Sequence, residues 1–177
     1  MFKVNDYVMY GLTGACRITD IRKDEYNSDD ETKYYVLNPV FNNTMTIKVP
    51  VDNPNIVMRS VITKDDALSL IAKIPEIDVA WIDDDRQRNA TFKAALRSGK
   101  IEEWARIIRT IHLQKEAKSV AGKKLAKIDE DMMNTAEKHL NEEFSIALDI
   151  SPEEVIPYIN EHIPQSKKQQ QANLIKK

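Results

Sequence analysis

The chain has 177 residues, a formal net charge of −2 and 31% charged residues, which excludes a protein coated in basic charge for bulk nucleic-acid binding. That length suits one domain or two small ones. A single cysteine, Cys16, excludes an intrachain disulfide and agrees with a reducing compartment; in its strand-like run it reads as a small buried hydrophobe. No apolar run approaches the ~18 residues of a membrane span, and Met1-Phe2-Lys3-Val4-Asn5-Asp6 lacks the apolar core of a signal peptide. The expected location is therefore the cytoplasm, away from membranes.

Residues 1–62 are strand-like. Phe2-Lys3-Val4 and Tyr7 to Tyr10 read as two strand pieces broken at Asn5-Asp6, followed by a tight turn flanked by Gly11 and Gly14. Val, Ile, Tyr and Thr then cluster in Ala15 to Ile21, Tyr34 to Leu37, Thr44 to Val49 and Ile56 to Ile62. Asn42-Asn43 reads as a hairpin turn, and the polar, acidic Lys23 to Thr32 as a loop or hairpin tip. Five short strands in about 60 residues predict a small β-barrel of the Tudor or SH3 kind.

The period then turns helical. Thr63 followed by Lys64-Asp65-Asp66 is a capped helix start, with a stop near Pro75. Asp83-Asp84-Asp85 opens a second helix that ends at Ser98-Gly99. Ile101, Trp104, Ala105, Ile108 and Ile111 mark the apolar face of a third. Leu125, Ile128, Met132, Ala136, Leu140, Phe144 and Ala147 form the stripe of a longer fourth. Ser151-Pro152-Glu153-Glu154 starts a fifth. The expected fold class is thus α+β: a small β-barrel, residues 1–62, followed by a compact all-α domain of about five helices, residues 63–163. Residues 164–177, rich in Gln, Lys and Ser, are expected to be a flexible tail.

Signs of catalysis are sparse. Four glycines in unsuitable spacings build no phosphate cradle. His112, His139 and His162 are scattered and there is no second cysteine, so no zinc site is expected. Three acids at Asp83-Asp84-Asp85 suit a helix N-terminus better than a metal. Glu102-Glu103 and Glu142-Glu143 read as solvated helix faces. No enzymatic activity, cofactor, metal or small-molecule substrate is expected. Nucleic-acid contact needs cations near an aromatic that stacks or wedges, and residues 81–97 supply Trp81, Arg86, Arg88, Phe92, Lys93 and Arg97. Arg86, Lys93 and Arg97 share one helical face, with Arg88 and Phe92 on a neighbouring one. In the alternative reading, Trp81 and Phe92 pack in the core and the cations are ordinary surface charge. Trp104 lies within an apolar stripe and reads as core.

Phe2-Lys3-Val4-x-Asp6-x-Val8-x-Tyr10, Tyr35-Val36-Leu37, Ile47-x-Val49-Pro50 and Arg59-x-Val61-Ile62, taken in order, resemble the RNA-polymerase-interacting domain of the CarD/CdnL family of bacterial transcription regulators. The resemblance extends to about residue 150 through Trp81, Leu96-x-Ser98-Gly99, Ile107-Ile108-Arg109 and Ala136-x-x-x-Leu140-x-x-Glu143. It implies a β domain that binds the polymerase β subunit and a helical domain that touches promoter DNA held by polymerase and the housekeeping sigma factor, stabilising the open complex. By position it assigns Tyr34, Lys48 and Pro50, and more loosely Arg22 and Lys23, to polymerase binding. It implies a tryptophan wedge beside basic residues in the helical domain, for which Trp81, Arg86, Arg88, Lys93 and Arg97 are the DNA-binding candidates. When Ser98-Gly99 is aligned, the family's wedge position falls near Asp85, one helical turn from Trp81. Trp81 either does the same work from a displaced place or is structural, the cations alone holding DNA. The segment Lys115 to Lys124 also departs from the better-known members. The alternative function is a polymerase-tethered protein adaptor without DNA contact.

Overall fold

The computed structural model describes residues 1–23, 32–42, 45–54 and 57–164. The chain forms two compact units, Met1–Val61 and Ile62–Lys177. The expected turn at Asn42-Asn43, the loop after Lys23 and the tail after Pro164 lie wholly or partly outside the described residues.

The first unit is a five-stranded antiparallel sheet. Its strands are β1 (Tyr7–Tyr10), β2 (Gly14–Lys23), β3 (Lys33–Pro39), β4 (Ile47–Pro50) and β5 (Met58–Ser60), in the order β4-β3-β2-β1-β5. No ladder joins β4 to β5 among the described residues, so the sheet does not close and the expected barrel is a loose one. Phe2-Lys3-Val4 is not a strand. The Lys3 amide donates to Asp6 Oδ2 at 2.8 Å, and Asn5 turns the chain at φ 75°, a conformation that asparagine tolerates. The β1–β2 turn uses Gly14 at φ 98°, a value that disfavours a side chain.

Alternation puts Val8, Cys16, Ile18, Tyr35, Leu37 and Val49 on the inner face, where they form the core. Phe2 packs edge-on against Tyr35, ring centroids 5.8 Å apart, and its amide donates to the Tyr35 hydroxyl at 3.1 Å. Register slips between Ile18 and Asp20. Thr19 is the extra residue of a bulge, and its hydroxyl donates to the Val36 carbonyl at 3.2 Å. The slip lets Ile18 and Ile21, three residues apart, both serve the core, and it sends Asp20 and Arg22 to the outer face.

The second unit is all helical: α1 (Lys64–Lys73), α2 (Asp85–Arg97), α3 (Ile101–Val120), α4 (Lys127–Leu148) and α5 (Pro152–His162). Caps explain the starts. The Thr63 hydroxyl accepts the Asp66 amide at 3.1 Å, Asp84 accepts that of Gln87 at 2.7 Å, and Ser151 with Glu154 makes a capping box. Pro75 tightens the end of α1 into a short 3₁₀ turn, Ile74–Glu76. Trp104, Ile107, Ile111, Ala136, Leu140 and Phe144 are buried where α3 meets α4. Trp104 Nε1 donates to the Leu96 carbonyl at 3.2 Å.

Two features of α4 depart from the sequence reading. Ile128 is exposed. Glu142 and Glu143, expected on a solvated face, are both buried. Glu143 Oε1 accepts the Ile62 amide at 3.0 Å, satisfying a backbone donor just ahead of α1. A carboxylate kept inside by such a bond is invisible to periodicity, because its partner lies 81 positions away.

Candidate docking face and nucleic-acid interface

The register of the sheet sorts the residues expected to bind polymerase. Arg22 lies opposite Tyr34, and Tyr34 lies opposite Pro50, so three strands contribute one continuous row. Lys48 faces the same side two residues before Pro50, opposite Val36. Tyr34 and Pro50 are half-buried, while Arg22 and Lys48 are exposed. Asp20, also on this face, lies 3.7 Å from the Arg22 guanidinium. Lys23 follows Arg22 directly and so points to the opposite side. Four of the five candidates share a face and Lys23 does not.

Pro50 fits β4 for a geometric reason. The Val51 amide donates to the Lys33 carbonyl at 2.8 Å. Narrow and wide pairs alternate in an antiparallel ladder, so the 34–50 and 36–48 pairs are the ones without mutual backbone bonds. The backbone nitrogens of residues 48 and 50 therefore face outward from the sheet. A proline at 50 costs no bond to β3. In such pairs the side chains also lie closer together, which suits Tyr34 against Pro50.

The helical unit separates the other candidates into two groups. On α2, Arg86, Lys93 and Arg97 fall within about 40° of one another at 3.6 residues per turn, and all three are exposed. Arg88 and Phe92 lie on the other side and are buried. Arg88, expected to reach phosphate, has its donors turned inward instead. Nε and Nη2 donate to the two oxygens of Asp129 at 3.0 and 3.1 Å, Nη2 also meets Asp85, and Nη1 donates to the Ile82 carbonyl at 2.7 Å. The Arg88 and Asp129 side chains are 3% and 0% exposed. Bonding to Asp129 outweighs burial and raises the Arg88 pKa further above its ordinary value. A bidentate buried pair of this kind is the correction to the phosphate role: no face of Arg88 is left for a backbone.

Arg88 instead holds Trp81. Its guanidinium carbon lies 4.2 Å from the centre of the Trp81 ring, and Lys118 Nζ, from the end of α3, lies 5.7 Å from it. Trp81 is half-buried, neither in the core nor free. The geometry brings Trp81 together with Arg88 and Lys118, not with the stripe of Arg86, Lys93 and Arg97. Sequence reasoning missed Lys118. The only signal was the lysine-rich stretch Lys115, Lys118, Lys123 and Lys124. The Lys123 amide donates to the Lys118 carbonyl at 2.8 Å, closing the C-terminal end of α3. Asp83-Asp84-Asp85 is a cap and a partner for Arg88. Among the described residues no cluster of His, Cys, Asp and Glu is placed to hold a metal ion, and no helix is long and apolar enough to cross a membrane.

Two family models match the chain in tandem. The CarD-like/TRCF RID domain covers residues 2–62, and the CarD C-terminal domain covers residues 79–160. A search among curated proteins finds no match. The first match spans the open sheet with its row of Arg22, Tyr34 and Pro50; the second spans α2 to α5 with Trp81 at its start. Together they place this chain in the CarD-like family of transcription-related, RNA polymerase-interacting proteins.

Proposed function

We propose that the chain docks on the polymerase β subunit through the outer face and β4 edge of its sheet, and that its helical unit then presents Trp81 to promoter DNA, slowing collapse of the open complex. The observation that carries the reading is Trp81 half-buried with Arg88 4.2 Å and Lys118 5.7 Å from the centre of its ring. A ring clamped by one internal cation, beside a second cation near the surface, is a prepared wedge with a phosphate anchor next to it. Lys118, Lys123 and Lys124 would hold the backbone beside the wedge, while Arg86, Lys93 and Arg97 offer a separate phosphate-contacting stripe. None of these reads sequence, so deformability of the promoter decides the response. With net charge −2, affinity for DNA comes chiefly from tethering to the polymerase.

The polymerase side would use Arg22, Tyr34, Lys48 and Pro50 as side-chain contacts and the outward edge of β4 as a site for strand addition. The deciding experiment pairs two variants. Lys48→Glu should weaken polymerase binding about tenfold or more in calorimetry with the fold intact. Trp81→Ala should leave that binding unchanged and shorten open-complex lifetime severalfold. Wild-type lifetime in the second variant would remove the wedge and leave a polymerase-tethered adaptor.

A further inference from the structure

A cavity of about 320 Å³ lies in the helical unit between α2, α3 and the segment 78–82 that leads into α2. Phe92 and Ile107 are its buried apolar lining, flanked by Val79 and Ile82. On α3, Glu103, Arg106, Ile107 and Thr110 line it together, because positions i, i+3, i+4 and i+7 share one helical face. Thr110 is only 4% exposed. A helical threonine often turns its hydroxyl to the carbonyl four residues back, as Thr135 does to Asp131 at 2.8 Å. The Thr110 hydroxyl makes no hydrogen bond among the described residues. It is a buried polar group, at the wall of an apolar cavity, with both donor and acceptor capacity unused.

Three charged side chains line the cavity, and they leave little net charge for an occupant to meet. Glu103 Oε1 and Arg106 Nη1 are 2.6 Å apart. Asp78 is exposed, and Arg109 stands near it: burial lowers the Arg109 pKa and the Asp78 charge opposes that shift. A phosphate or carboxylate would find no unpaired cation here. The volume is near the lower end of the roughly 300–1,000 Å³ usual for ligand pockets and suits a molecule of one or two rings. Phe92 offers such a ring an edge or a face to pack against. We propose that the cavity binds a small uncharged aromatic molecule carrying a hydroxyl, with Thr110 as the hydrogen-bond partner of that hydroxyl. Val79, Ala80 and Ile82 wall the cavity and Trp81 lies among them in sequence, so an occupant would be sensed by the segment that carries the proposed wedge. The site itself stands whether or not Trp81 meets DNA.

The test titrates para-cresol into the full chain and follows the methyl resonances of Ile82, Ile107 and Thr110. They should shift saturably while those of Ile18 and Leu37 in the sheet stay in place. Toluene, which keeps the shape and lacks the hydroxyl, should bind about fivefold more weakly, the worth of one hydrogen bond. Thr110→Val should erase that preference and retain toluene binding. Ala95→Phe, at a half-buried lining position, should fill the cavity and abolish binding of both. The anion para-hydroxybenzoate should not bind. Absence of saturable shifts with para-cresol would overturn the proposal, as would equal affinity for para-cresol and toluene in the unaltered chain. Tighter binding of N-acetyltyrosinamide than of para-cresol would also overturn it, assigning the cavity to a tyrosine side chain of a protein partner. None of these outcomes depends on polymerase or DNA.

Discussion

Arg88 and Asp129 form the most consequential pair of side chains in the helical unit. Each was desolvated to reach the other, so the pair is worth little against an apolar replacement, while either partner alone is a buried, uncompensated charge. Arg88→Ala is therefore expected to cost about 3–5 kcal/mol in urea denaturation. Arg88→Met with Asp129→Leu should recover most of that loss yet still shorten open-complex lifetime, because Trp81 has lost its cationic support. A double variant with both stability and lifetime at wild-type values would sever Arg88 from function. His139 makes a separate demand. Buried against Trp104 with ring centroids 5.2 Å apart, it has no hydrogen-bond partner for either ring nitrogen among the described residues. Burial, with the neighbouring Lys138 charge, pushes its pKa down to about 4. The unfolded chain then binds the extra proton first as pH falls, so stability is complete above about 6.5 and declines toward 4. The loss totals on the order of 3 kcal/mol. His139→Leu should flatten the thermal-stability profile across that window; an unchanged slope would assign the acid sensitivity elsewhere.

Among the elements, β2 is the one whose geometry makes the sharpest prediction. The bulge at Thr19 resets which residues of β2 face outward, and beyond it Arg22 and Lys23 are adjacent in sequence but on opposite sides of the sheet. Arg22→Glu should weaken polymerase binding about tenfold, equivalent to about 1.4 kcal/mol, whereas Lys23→Glu should stay within about twofold in the same calorimetric titration. Equal losses would mean that the partner wraps the sheet and does not lie on one face. The strands and caps were legible because their causes are local: β-branched runs, Thr63 before paired acids, Ser151-Pro152 ahead of Glu154. The bulge was not legible, because an extra residue in a strand leaves composition and alternation almost unchanged over so short a run.

For the molecule as a whole, tandem matches to the CarD-like/TRCF RID domain and the CarD C-terminal domain accompany two compact units, Met1–Val61 and Ile62–Lys177. The change of hydrophobic period near residue 62 falls where these two units meet in sequence. The surroundings of Trp81 were not readable in the sequence. Arg88 reads as a surface cation until Asp129, 41 positions away, is found beside it, and Lys118 reaches the same ring from the far end of α3. Glu143 escaped for the same reason. Polar groups whose partners are distant in sequence look like ordinary surface until the helices are packed.

The outward edge of β4 has one more consequence. A strand able to accept a foreign strand is also able to accept its twin, and an open sheet of this kind invites self-association into chains of sheets. Here the same short strand carries a proline, which withholds one edge donor, and a lysine, which sets like charges against each other when two copies approach. A partner carrying negative charge meets no such barrier. The residues proposed to favour the polymerase would thus also oppose pairing of this edge with a second copy, and any change that sharpened the edge for one purpose would be limited by the other.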